Sequence, residues 1–283
     1  LVTATYVDLV KQIRALIPYV DDGSLNGIHL EGPWISHAYC GAHDPDLLRN
    51  PDPDDVSRIL EAGDGRIAMV TIAPELPGAM ESIERIVASG AVAAVGHTGA
   101  DDPITTEAIE RGATVATHLF NAMPPLLHRD PGPIGALLND DRVTVEIICD
   151  LVHVAGDVIA IALASSHGRT AFISDAMAAA GAPDGPYRIG LLDVDVTDGQ
   201  ARLTGTSALA GSTLLLDQAL RNGVLIGQPL HSVSACLSAA PALAMGLSDR
   251  GHLAAGQRAD LVVLDDDLRL TRVMRNGAWL ALS

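Results

Sequence analysis

Cysteine is scarce in this chain of 283 residues. Cys40, Cys149 and Cys236 are odd in number, far apart and without a CxxC pair, which excludes a disulfide framework and a thiolate zinc site. A reducing compartment suits such a chain, and a cytoplasmic location is the expectation. Positive charge is also short: 18 Lys and Arg against 35 Asp and Glu leave a formal net charge of −17. A field of that sign repels polyphosphate and anionic headgroups, so neither nucleic acid nor an acidic membrane is an expected partner. Any anionic ligand must be held by donors fixed close to it. No apolar run approaches the roughly 20 residues that span a bilayer, and the N-terminus has no basic segment leading into an apolar one. A nucleotide has no GxGxxG turn or P-loop to seat it. An initiator Met is missing too. The opening "LVTATYVDLV" reads as the end of a strand running into a helix, and the expectation is that a natural N-terminal portion precedes it.

What is present is hydrophobic: 48% of residues, with 19% charged, enough for a substantial packed core. From Gly27 onward, short runs rich in Val, Ile and Ala alternate with segments of helical period, the βα pattern of a parallel sheet. Strands are expected at 27–30, 67–72, 91–95, 113–116, 143–149 and 170–173, with helices at 54–62, 78–89, 103–111 and 156–166. Beyond Tyr187 the alternation in "YRIGLLDVDVTDGQARLTG" and its Asp198-Gly199 turn predict an antiparallel hairpin. Helices at 212–222 and 229–245 follow, then two or three strands in "ADLVVLDDDLRLTRVMRNGAWL".

Each of the six expected strands runs straight into a polar group: Glu31, Glu75, His97, His118, Asp150 and Asp175. In a (β/α)8 barrel, strand C-terminal ends converge on one mouth where the active site lies, so these groups can meet. Glu31, His97 and His118 offer one carboxylate and two imidazoles, a set used by catalytic zinc sites that keep a position open for water. Asp175, opening "SDAMAAAG", reads either as the N-cap of a short helix or as a general base. The stretch "THLFNAMPPLLHRDPG" (117–132) has no helical or strand period and reads as a loop with a task.

Those residues sit in "GIHLEGPWIS", "GAHDP", "VTIAPE", "VGHTGA", "ATHLFNAMPP", "DLVHV", "ISDAMAAAG" and "LAGSTLLLDQAL". Together with the tail "GLSDRGHLAAGQRADLVVLD", they resemble the N-acetylglucosamine-6-phosphate deacetylases of the amidohydrolase superfamily over essentially the whole chain. The resemblance implies a (β/α)8 barrel with a small β-sandwich built from both chain ends. It implies hydrolysis of the acetamide of N-acetylglucosamine 6-phosphate to glucosamine 6-phosphate and acetate. Glu31, His97 and His118 match the metal ligands and Asp175 the catalytic aspartate. His153 matches a histidine touching the acetyl carbonyl, and Ala42, Asn121, Ala122, Arg129, Leu209, Ala210 and Gly211 match substrate-binding positions. Glu75 reads as support near the mouth, Trp34 as packing, and His29 as a barrel-interior residue. His43 reads as a sugar contact or as an orienter of its loop. The implied cofactor is a divalent metal ion, zinc first, with iron, cobalt, manganese or cadmium as alternatives. The expected partners are a sugar phosphate and a second copy of the chain, as a homodimer.

The chain departs from the superfamily pattern in one respect. The HxH motif of its two-metal members, borne on the first barrel strand, is absent. The expectation is therefore a barrel lacking its first strand: residues 1–250 form the barrel, with a hairpin insertion near 187–205, and 251–283 form part of a sandwich whose N-terminal half is missing. Two competing readings are another amidohydrolase, such as a dihydroorotase or an imidazolone hydrolase, and a non-catalytic sugar-phosphate-binding module. The "NAMPPLLHRDPG" loop argues against the first.

Overall fold

A computed structural model of the chain describes residues 1–281; the final two residues of the expected C-terminal unit, 282 and 283, lie outside the described residues. Six parallel strands form one sheet in sequential order: β1 (Ile28–Glu31), β2 (Ile67–Ile72), β3 (Val92–Val95), β4 (Ala113–Ala116), β5 (Thr144–Ile148) and β6 (Thr170–Ile173). Every connection between them passes over a helix, which is the repeating unit of a TIM-type barrel. Among the described residues this sheet has six strands, where a complete barrel has eight. Leu1 extends the series by one position: its carbonyl accepts from Glu31 N at 2.8 Å and its amino group donates to His29 O at 2.6 Å, so the first residues run beside β1. The expected strand limits hold to within a residue or two. The one shift of consequence puts Glu31 inside β1, as its last residue, and not after it.

The helices α1 (Tyr6–Asp21), α2 (Pro53–Ala62), α3 (Ala79–Ala88), α4 (Asp102–Glu110), α5 (Gly132–Asn139) and α6 (Gly156–Ser165) clothe the sheet. Their starts are written in the sequence. Thr5, Asp52 and Asp101 each accept from backbone N–H groups of a first turn, and Pro53 and Pro103 stand where a missing N–H costs least. The helix-facing side of the sheet is apolar, with Leu30, Val70, Ile72, Val95, Val145 and Ile147 all fully buried in the main core. Trp34 is fully buried there as well, as packing.

The other side is layered. Met69, Ala94 and Val115 form a small cluster capped by Ala244 and Met245. Above it runs a polar chain, His29 Nε2 to Thr71 Oγ1 at 2.8 Å and Thr71 Oγ1 to Thr117 Oγ1 at 2.7 Å. The strand C-termini lie above that.

After β6 the chain leaves the barrel as a meander, β7 (Gly185–Ile189), β8 (Leu192–Thr197) and β9 (Gln200–Leu203), paired antiparallel in that order. It has one strand more than a single hairpin. The helix expected at 212–222 starts late, as α7 (Leu216–Leu225), because residues 209–212 are committed elsewhere: Arg202 bridges Leu209 and Ala176 bridges Ser212. The helix expected at 229–245 is two, α8 (Leu230–Leu237) and α9 (Ala239–Ala244), divided at Ser238, whose φ of −136° is not helical. A second antiparallel sheet of β10 (Leu261–Leu264), β11 (Leu270–Arg275) and β12 (Ala278–Trp279) ends the described chain.

Candidate active site

The strand C-termini open into a cavity of about 750 Å³, within the range of small-molecule sites. Glu31 from the end of β1 and Asp175 from just past β6 both line it, although these are the two outermost strands of the sheet. Only a sheet curled on itself brings its edges to one cavity.

Glu31, His97 and His118 close on one another. Glu31 Oε1 lies 3.1 Å from His97 Nε2 and 2.8 Å from His118 Nε2, and the two imidazole nitrogens are 3.0 Å apart. His97 Nδ1 meets the Tyr39 carbonyl at 2.8 Å. A carbonyl only accepts, so the hydrogen of the neutral ring sits on Nδ1 and the Nε2 lone pair faces the other two groups. His118 Nδ1 is buried and unpartnered among the described residues. Three donor atoms this close share positive charge, a proton on His118 in the metal-free chain or a cation that displaces it. A tetrahedral cation about 2.0–2.1 Å from each donor separates them by about 3.3 Å, close to what is seen, and the donor set fits a divalent metal.

A second triplet shares two of these residues. Glu31, His43 and His97 also offer ligand atoms within 4.8 Å of one another. His43 Nδ1 receives the Thr3 backbone N–H at 3.3 Å and pairs with Thr3 Oγ1 at 2.7 Å. Its ring hydrogen is thereby assigned to Nε2, which faces Glu31 Oε2 at 3.8 Å. In that tautomer Nε2–H faces the Glu31 carboxylate from beyond hydrogen-bond distance, and His43 does not ligate.

The electrostatics are those of a buried charge cluster. Burial pulls the His118 pKa down, but the hydrogen bond to Glu31 and the charges of Glu31, Asp175 and Glu146 outweigh it and lift it to about 9. Burial works to raise Glu31, yet the hydrogen bond from His118 and the imidazoles of His118 and His97 close beside it hold it well below the usual carboxylate range. Asp175 is pushed up by burial and by the charge of Glu31. Burial lowers both His29 and His43 to about 4 and raises Glu146 to about 7.

Strained backbone marks the same rim. His97 (φ 48°), His118 (φ 32°), Phe120 (φ 78°), Ala122 (φ 52°), Leu151 (φ 65°) and Asp175 (φ 47°) all occupy the left-handed region just beyond β3 to β6, at a cost on the order of 1 kcal/mol each for residues with a Cβ. The neighbours hold these conformations. Glu75 accepts Thr98 Oγ1 and Gly99 N, each at 2.6 Å, bracketing the turn after His97. Ser212 N donates to Asp175 O at 2.8 Å, and Ser212 Oγ bonds the Ser174 carbonyl. Across the cavity, Asp150 Oδ2 accepts His153 Nδ1–H at 2.6 Å. Burial works against the charge of Asp150, but hydrogen bonds from the His153 ring and from the His153 and Val152 backbone keep it below its ordinary value.

Of the twelve positions matched to metal, catalytic and substrate residues, Glu31, Ala42, His97, His118, Asn121, Ala122, His153, Asp175, Leu209 and Gly211 line this cavity, and His43 joins them. Two do not. Ala210 is fully buried in the small core of the meander, its side chain facing away from that of its neighbours. Arg129 is exposed on its loop and lines no part of the cavity. Residues without a sequence signal line it as well, among them Tyr39 and Arg202. Arg202, from β9, donates to Ser207 O at 2.5 Å and Gln200 Oε1 at 2.9 Å. Nothing in an alternating strand marks one arginine as facing a cavity assembled from another part of the chain.

Residues 2–280 match the amidohydrolase family. Among curated proteins, N-acetylglucosamine-6-phosphate deacetylase of Lysinibacillus sphaericus is 35% identical over 92% of this chain, which spans 67% of that protein. N-acetylgalactosamine-6-phosphate deacetylase of Escherichia coli O157:H7 is 34% identical over 89% of the chain and 67% of its own length. Among solved structures, an aspartate-to-alanine variant of N-acetyl-D-glucosamine-6-phosphate deacetylase from Mycobacterium smegmatis, in complex with N-acetyl-D-glucosamine-6-phosphate, superposes with a TM-score of 0.96 at 50% identity. That match covers 99% of this chain and 74% of the other.

Proposed function

The chain belongs to the amidohydrolase family, and from that premise we propose that it hydrolyses the acetamide of N-acetylglucosamine 6-phosphate to glucosamine 6-phosphate and acetate, a step of amino-sugar catabolism in the cytoplasm. One observation carries the reading. Glu31, His97 and His118 converge within 3.1 Å of one another on the cavity that Asp175 also lines, in a chain half identical to a deacetylase solved with that sugar phosphate.

Glu31, His97 and His118 would hold a divalent metal, zinc by the chemistry of a carboxylate and two imidazoles. Such an ion, when bound, acidifies water and polarises a carbonyl. The chain's own residues do the rest. Asp175 takes a proton from the attacking water and returns it to the amine as the C–N bond breaks. Its raised affinity for a proton suits a group that must carry one between two steps. His153 faces the same space and donates to the carbonyl oxygen as charge grows there. His43 Nε2 faces Glu31 Oε2 from 3.8 Å, and Asn121 and Ala122 line the cavity where the sugar phosphate would lie. Arg129 lies outside the cavity and would meet a phosphate only across an interface, so a homodimer belongs to the proposal. We divide the chain to match, with a catalytic barrel unit at 1–250 that carries the meander and a small β unit from 251 onward.

The test is acetate release from N-acetylglucosamine 6-phosphate by the wild type and by Asp175→Asn. The variant should lose about 10²- to 10⁴-fold in kcat, and wild-type turnover by it would remove Asp175 as the base. The 34% identical galactosamine-specific relative favours a second reading, that the sugar is the C4 epimer. Measuring kcat/KM on both 6-phosphates decides between them, and undiminished turnover of the unphosphorylated sugars would argue for another amidohydrolase.

A further inference from the structure

Asp150 stands one residue beyond β5, and its carboxylate does two separable jobs. Oδ1 accepts the backbone N–H of Val152 at 2.9 Å and of His153 at 2.8 Å, closing a turn over Leu151, which sits in the left-handed region at φ 65°. Oδ2 accepts from His153 Nδ1 at 2.6 Å. The pair is largely shielded, with side-chain exposures of 14% and 7%. An asparagine closes such a turn as well as an aspartate does, so the turn alone does not call for a charge. The second, anionic oxygen serves the imidazole.

With Nδ1–H committed to a carboxylate, Nε2 is the one ring position left to deal with a ligand. It has no protein partner among the described residues, and His153 lines the cavity beside Glu31, His118 and Asp175. A neutral ring in this tautomer offers Nε2 as an acceptor, which is useless to a carbonyl oxygen. A doubly protonated ring offers Nε2–H, and the Asp150 carboxylate 2.6 Å from Nδ1 is the counter-charge that faces it.

We propose that Asp150 is a positioning residue for deacetylation: it pins the His153 ring, keeps a hydrogen on Nδ1 and balances a protonated imidazole, so that Nε2 presents a hydrogen to the acetamide carbonyl oxygen. The proposal rests on the deacetylase reading above. It also separates the two carboxylates at the mouth, Asp175 handling protons directly and Asp150 acting through a histidine.

Asp150→Asn keeps the turn and removes the anionic acceptor. It should lower kcat about 10- to 100-fold with KM little changed, the size seen when a group behind an active imidazole is neutralised. In a His153→Gln background the same substitution should change kcat by less than about twofold, because a residue that works through His153 has nothing left to act on. Equal losses in both backgrounds would make Asp150 a purely structural residue, and no loss in either would make it dispensable; each result overturns the proposal. A second measurement needs no turnover. In ¹⁵N-labelled protein, a slowly exchanging Nδ1 proton should appear in the wild type and vanish from both His153→Gln and Asp150→Asn. Its survival in Asp150→Asn would refute the pairing. A wild type that releases no acetate but shows this proton would sink the deacetylase reading and leave the pair intact.

Discussion

At the scale of single residues, His118 carries the sharpest consequence. Beside Glu31 its pKa stands at about 9 without a metal, above the ordinary histidine value, so the ring holds a proton throughout the neutral range. A cation needs the lone pair that this proton occupies. Binding near neutral pH must therefore expel it, and affinity must fall as pH drops. Calorimetry of Zn²⁺ binding to the metal-free chain, in buffers of differing ionisation enthalpy, should report about one proton released per ion near pH 7. Zero release would mean that His118 is not a ligand. The same scale explains the cysteines. All three are free thiols, and burial pushes Cys149 up to about 12 and Cys236 to about 11, which leaves both as inert packing.

At the scale of elements, the site depends on loops that hold each other in strained conformations. The turn after β3 is the clearest case. His97 at φ 48° is followed by Thr98 and Gly99, both held by the Glu75 carboxylate from the loop after β2. A carboxylate spent this way fixes the direction of the imidazole without touching it. Glu75→Ala should weaken zinc binding about 10- to 100-fold while the far-ultraviolet circular dichroism stays that of the wild type. Unchanged affinity in a competition assay with a chromophoric chelator would show that the turn holds without Glu75. Ser212 acts similarly on Asp175, which explains why the chain between β9 and α7 stays extended where helical periodicity is strong: its backbone bonds are already used on the β6 turn.

At the scale of the whole molecule, charge and assembly meet. A chain of net charge −17 must bind a dianionic phosphate through donors placed at short range, since its distant field opposes the encounter. Arg129 is the cation that the loop sequence offers, yet it is exposed and lines no part of the cavity of its own chain. If a second copy receives it, the chain should sediment as a dimer at assay concentration, and Arg129→Ala should raise KM for the 6-phosphate about tenfold or more, the worth of a charge-assisted pair. KM for the unphosphorylated sugar should hardly move. A monomer with wild-type KM in the variant would assign the phosphate to other donors, and Arg202 on the cavity wall would be the first to examine.

Much of this was legible before any fold was known. Apolar runs of four to six residues, each ending in a polar group, are enough to place Glu31, His97, His118 and Asp175 at strand ends, because a parallel sheet buried on both faces admits polar side chains chiefly where its strands stop. The helices expected at 54–62 and 103–111 begin one residue earlier, because Asp52 and Asp101 accept from the unpaired N–H groups there. What the chain could not declare by itself is everything that depends on closure. The curl of the sheet decides that β1 and β6 share a cavity, and the packing of Thr3 against His43 decides which ring nitrogen faces Glu31. The meander decides that Arg202 lines the cavity, and the course of the 117–132 loop leaves Arg129 exposed and off its wall. Strand and cap signals arise between residues a few positions apart. Contacts among residues 40 to 90 positions apart are set by the shape of the whole, and no local period encodes them.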